Sequence, residues 1–121
     1  MIIITLNIRG GINYKNKPYK VINFLNKINY DIALLQEVAN IKPKNKLLLE
    51  RELNSKIYDG KKTKQKQNIG VATIIKNTSN IEINSINNID IIGEGRMQHL
   101  IVKEDKIQYN IINLYGSTHH N

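Results

Sequence analysis

The chain has 121 residues, with 18 Lys or Arg against 10 Asp or Glu, and a formal net charge of +8. That length makes one domain or part of one. The basic balance suits nucleic acid, another polyanion or an anionic surface, although a composition this rich in Ile, Asn and Lys also follows from AT-rich coding.

The chain has no cysteine, which excludes a disulfide framework, a thiolate metal site and a cysteine nucleophile. Residues 2–6 are too short an apolar run for a secretion signal, and no stretch is long enough to span a bilayer. An intracellular protein with no membrane partner is expected.

In chain order, residues 2–6 form a β-branched, largely apolar run, the pattern of a strand covered on both faces. The run stops on Asn7, and "RGGINYKNK" follows as a loop. Pro18 suits a first helical turn, after which Val21, Phe24, Leu25 and Ile28 fall on one helical face. "NYDIALLQE" turns at 29–31 and enters a second buried strand at 32–35, completing a βαβ-like unit. "NIKPKNK" reads as a polar connection, and "LLLERELNSKIY" as a helix with Leu49, Leu53 and Ile57 on one stripe. "DGKKTKQKQN" contains no apolar residue and reads as an exposed loop. "IGVATIIKN" is a strand, "IEINSI" a short one, and "DIIGEGR" a hairpin turn around 93–95. "MQHLIVK" and "KIQYNIINLY" are strands joined by the tight "EDK". No segment repeats. The strand-rich pattern after the βαβ-like unit points to an α/β sandwich rather than a doubly wound parallel sheet. The last strand is apolar enough to expect neighbours on both sides, and so to expect further chain.

Asn7 and Glu37 each end a buried strand at its carboxyl edge, where open α/β sheets place their ligands. A carboxylate beside a carboxamide oxygen suits Mg²⁺, which takes one or two carboxylates and keeps several waters. Tyr115 ends a third strand, where its hydroxyl can meet a phosphate oxygen. The same residue types also suit plainer roles: glutamate as a solvated or capping residue, asparagine as a turn former.

"ITLNIRGG", "YDIALLQE", "GVATIIK", "GRMQHLIVK" and "NIINLYG", in this order, resemble the N-terminal half of the endonuclease/exonuclease/phosphatase superfamily. The resemblance covers essentially the whole chain, so residues 1–121 read as a single partial domain. It implies the N-terminal half of a four-layer α/β sandwich, two mixed sheets flanked by helices. The implied reaction is phosphodiester cleavage in DNA with Mg²⁺ or Mn²⁺. By position, Asn7 matches the strand-1 active-site asparagine, Glu37 the metal-binding glutamate, and Tyr115 the tyrosine that contacts the scissile phosphate.

Apurinic endonucleases have an aspartate where this chain has Arg9. The "N-x-R-G" form looks more like non-LTR retrotransposon endonucleases, which would make Arg9 either a DNA-phosphate contact or a plain solvated residue, and the compartment nuclear in a eukaryote. The family's later D-x-N and S-D-H segments have no counterpart here, and "STHH" at 117–120 is not the latter. His99 reads as a strand residue rather than a ligand.

The expectation is therefore an N-terminal fragment of a Mg²⁺-dependent endonuclease, inactive alone. It would be completed by a second chain or by a missing C-terminal half. The alternative is a non-catalytic basic remnant that binds nucleic acid or another chain.

Overall fold

Two strands are buried along almost their whole length because both of their faces are covered. These are β2 (Ile32–Gln36) and β4 (Val71–Lys76), which pair antiparallel in the middle of a mixed sheet. On its edges lie β1 (Ile3–Asn7), parallel to β2, and β3 (Ser55–Asp59), antiparallel to β4. A second, antiparallel sheet is a meander of β5 (Glu82–Ile89), β6 (Met97–Glu104) and β7 (Ile107–Leu114). The computed structural model describes residues 1–60, 69–89 and 95–116. Most of the lysine-rich loop, the glycine turn apart from Gly95, and "STHH" lie outside those residues.

Helices α1 (Lys17–Asn26) and α2 (Pro43–Leu53) cover one face of the mixed sheet. Val21, Ile22 and Leu25 of α1 and Leu49 and Leu53 of α2 pack there with Ala33, Leu35, Ala72 and Ile74. The alternate residues of the same strands, Ile32, Leu34 and Ile75, face the second sheet and meet Leu100 and Val102. The layers are therefore helices, mixed sheet, meander. This is the α/β arrangement with two sheets expected from the sequence.

Three local expectations are corrected. β1 is not covered on both faces: Ile4 and Leu6 reach the helix-side core, while Ile3 is 41 % exposed, because the meander lies over β2 and β4 and stops short of β1. On α1, Phe24 is 47 % exposed, and Pro18, Val21, Ile22 and Leu25 form the buried stripe; Ile28 follows the helix end. The second helix starts earlier and stops sooner than its leucine spacing predicts. Pro43 fits its first turn, and Asn54, in the left-handed region at φ 47°, ends it. Ile57 belongs to β3, and it packs in the same core as Leu49 and Leu53.

The "EDK" link behaves as read. Asp105 and Lys106 have φ values of 51° and 67°, the paired positive values of a two-residue turn that matches strand twist. β5 runs eight residues, longer than expected, with an irregularity between Ile83 and Ser85.

Candidate active site

β1 and β2 run parallel in register, with Asn7 opposite Gln36, so Asn7 and Glu37 arrive at the same end of neighbouring strands. The chain leaves both strands through left-handed backbone. Arg9, Gly10 and Gly11 have φ values of 49°, 81° and 81°, and the Asn7 Oδ1 accepts the Arg9 N–H at 3.0 Å, closing a tight turn. The two loops are then stitched together: Gly11 N–H donates to Glu37 O at 3.1 Å and Ile12 N–H to Val38 O at 2.9 Å. Glu37 itself sits at φ 58°, an uncommon conformation for a residue with a side chain. Such strain collects where a structure holds a functional group in place.

Tyr115, just beyond β7, comes to the same place from the other sheet. Its hydroxyl donates to Glu37 Oε1 at 3.0 Å. Its backbone N–H donates to Arg96 O at 2.9 Å, and the Arg96 guanidinium stands 5.0 Å from the centroid of the Tyr115 ring. Arg96 Nη1 also donates to Gly116 O at 3.1 Å, so the arginine holds the tyrosine by ring and by backbone. Loss of solvent contact and the neighbouring Glu37 push the Tyr115 phenol above its ordinary pKa of 10.0, and Arg96 opposes that shift. At neutral pH the phenol is protonated and is the donor to Glu37.

A buried carboxamide seam supports this constellation. Gln36, next to Glu37 in the chain, donates through Nε2 to Asn113 Oδ1 at 3.0 Å and to Thr5 Oγ1 at 2.9 Å. Asn113 Nδ2 donates to Ala72 O at 2.9 Å, crossing from the meander to the mixed sheet. Thr73 Oγ1 donates to Gln98 Oε1 at 2.8 Å, and Gln98 Nε2 donates to Tyr58 O at 3.0 Å. Among the described residues no buried side-chain polar atom lacks a partner, so these buried amides do not carry the cost of an unmet hydrogen bond.

The sequence singled out Asn7, Glu37 and Tyr115, and the structure brings them to one end of the sheets. Arg9 lies beside them on an exposed loop. His99 is on β6, with a ring nitrogen 3.0 Å from Asn110 Oδ1. Sequence reasoning passed over Arg96, Gln36 and Asn113. Neither amide carried a clear signal: Gln36 is the last residue of β2, and Asn113 is buried while its apolar neighbours Ile112 and Leu114 are each 57 % exposed.

The donor set suits a hard divalent cation. Glu37 supplies a carboxylate, and the Asn7 carbonyl retains a second lone pair beyond the one that Arg9 uses. No group of three His, Cys, Asp or Glu side chains gathers among the described residues, so the set fits an ion that keeps much of its water.

No protein-family model and no curated protein sequence matches the chain. Solved structures that share its fold include a TDP2 and an AP endonuclease. A humanised D. rerio TDP2 bearing 14 mutations superposes with a TM-score of 0.67 at 13 % identity, over 93 % of this chain and 45 % of that one. The AP endonuclease LMAP from Leishmania major superposes with a TM-score of 0.61 at 15 % identity, over 94 % of this chain and 39 % of that one. The chain thus spans less than half the length of either protein. Among the described residues no helix is long and apolar enough to cross a membrane.

Proposed function

We propose that this chain carries one half of a phosphodiester-cleaving site that acts on DNA with Mg²⁺ or Mn²⁺. The carrying observation is the 3.0 Å hydrogen bond from the Tyr115 hydroxyl to Glu37, made beside Asn7 where β1 and β2 end. Glu37 and Asn7 would hold the cation, which supplies charge neutralisation at the phosphate and the departing oxygen. Tyr115 fixes the Glu37 carboxylate through Oε1, leaving Oε2 as the ligand oxygen. Arg96 fixes Tyr115. The likeness in fold to an AP endonuclease supports the reading, as does the net charge of +8.

In this reading the chain is intracellular and most like a retroelement endonuclease, by the Asn7–Ile8–Arg9–Gly10 segment. It is inactive alone, because the residues that would activate water belong to segments it does not contain, and catalytic groups act as a unit. Those segments would come from a second chain or from further sequence.

Mn²⁺ binding, followed through the electron paramagnetic resonance signal of the free ion, tests the half-site. Wild type should bind and Glu37→Gln should not; equal binding by the two overturns the reading. Supercoiled plasmid should remain un-nicked by the isolated chain in Mg²⁺. Nicking that disappears in Glu37→Ala would show instead that the site is complete, with dimerisation the first explanation to examine.

The basic remnant is the second reading, favoured by the excess of 18 Lys or Arg over 10 Asp or Glu. It predicts DNA binding that is salt-sensitive and indifferent both to metal and to Glu37.

A further inference from the structure

The two helices leave a groove of about 470 Å³ between them on the outer side of the molecule. Lys15, Lys44 and Arg51 line it together with Tyr19 and Leu47, and no carboxylate is among the lining residues. Tyr19 is 57 % exposed and Leu47 69 %, so both present apolar surface to solvent. Tyr14, outside the lining but next to Lys15 in the chain, is 62 % exposed, with the Lys15 ammonium 5.4 Å from its ring centroid. α1 carries no acidic residue at all. Arg51 pairs with Glu52 at 3.3 Å. That pair is exposed and worth little, and a guanidinium keeps further donors for a phosphate.

Cations alternating with uncovered rings match one class of partner. A duplex offers phosphates but keeps its base faces stacked inside, where Tyr14 and Tyr19 gain nothing. An acidic peptide offers charge without flat π surfaces. A single strand offers both at once: phosphates for the cations, and base faces that stack on aromatic side chains without regard to sequence. Lys44 and Arg51 are two turns apart on α2, about 10 Å along its axis, which leaves room for a base between two neutralised phosphates. Both helices follow the loops that leave β1 and β2, and those loops are bonded to each other, so Lys15 and Lys44 lie towards the same end of the molecule as Asn7 and Glu37.

We propose that the groove between α1 and α2 binds single-stranded nucleic acid. Phosphates lie on Lys15, Lys44 and Arg51, and bases stack on Tyr19 and Tyr14. This binding needs neither a metal nor Glu37, and so it stands apart from the phosphodiesterase reading.

The test is fluorescence anisotropy of the full chain with a labelled oligothymidylate of about 12 nucleotides, a length within single-strand site sizes, in EDTA. A duplex of the same length and vesicles of phosphatidylserine in phosphatidylcholine are the competitors. The single strand should bind best. Tyr19→Ala should weaken it by about fivefold or more, Tyr19→Phe should restore it, and the thermal melt should be unchanged in both. Lys44→Gln and Arg51→Gln should each lower the slope of log K against log salt by about 0.7. The proposal falls if the duplex binds as tightly as the single strand, or if Tyr19→Ala has no effect. It also falls if only the vesicles bind. A chain that binds the strand in EDTA but shows no Glu37-dependent Mn²⁺ site would keep this inference and lose the phosphodiesterase reading; the reverse pair of results would do the opposite.

Discussion

The Tyr115 hydroxyl donates to Glu37 Oε1 at 3.0 Å, joining residues 78 apart in sequence and bridging two sheets that share no strand. Glu37 and desolvation raise the phenol's pKa, and Arg96 lowers it. Glu37→Gln should bring the Tyr115 titration down towards 10.0, and Arg96→Leu should carry it further up. Arg96→Lys keeps the charge but not the planar stack, and should fall between Arg96→Leu and wild type. Carbon-13 NMR of labelled tyrosine, assigned with Tyr115→Phe, reads all three.

Buried Tyr30 makes a stability prediction in the alkaline range. Desolvation raises its phenol above 10.0, against a smaller opposing effect of the bond with Ser55. The folded state therefore holds this proton more tightly than the unfolded chain does. Its contribution is complete below pH 10 and is lost as pH rises through the folded-state pKa. The urea midpoint should hold steady up to about pH 9 and fall as pH rises past about 10. In Tyr30→Phe the fall should be shallower, with Tyr58 and Tyr115, also raised, supplying the remainder.

Two glycines should fail for different reasons. A Cβ on Gly60 would lie 2.5 Å from the Val71 carbonyl oxygen and 3.2 Å from that of Gly95, both backbone atoms. Gly60→Ala should cost about 1–3 kcal/mol through overpacking, and Gly60→Asn should cost more. Gly10 has open space around it but a φ of +81°. Gly10→Ala should cost about 1–2 kcal/mol, and Gly10→Asn should recover part of it, since asparagine tolerates left-handed backbone. Urea denaturation of the four variants separates the two causes.

The carboxamide seam should behave as a unit. Asn113→Leu removes the acceptor for Gln36 and should cost about 1–3 kcal/mol. Adding Gln36→Met removes the other side of that bond as well; in the single variant Gln36 Nε2 keeps Thr5 Oγ1 and Leu34 O as acceptors. The double variant should therefore be less destabilised than the two single variants summed, a coupling that a double-mutant cycle measures.

Legibility in the sequence followed what each pattern depends on. β2 and β4 were readable because a strand covered on both faces is mostly apolar, Thr73 and the terminal Gln36 and Lys76 aside. β1 has nearly the same composition, yet it lies on an edge; which strand ends a sheet depends on pairing, which local composition does not record. Leu49, Leu53 and Ile57 repeat every four residues and all reach one core, so their spacing reported burial correctly and the element wrongly. The left-handed Asn54 splits that stripe between a helix and a strand. Asn7, Glu37 and Tyr115 were readable as polar stops on apolar strands. Arg96 was not, because its importance comes from contact with a residue 19 positions away.

An apolar boundary between two sheets resists separation but tolerates sliding, since one methyl group is much like the next. The boundary here is keyed instead: Asn113 reaches Ala72 O across it and Gln98 meets Thr73, and each bond is lost within a displacement of about one ångström. Gln36, which Asn113 accepts from, is joined by a peptide bond to Glu37. A partner strand that paired with the edge of β7 would therefore bear on Asn113 and Tyr115, and through them on Gln36 and Glu37, so that occupancy of that edge and the aim of the carboxylate would be coupled.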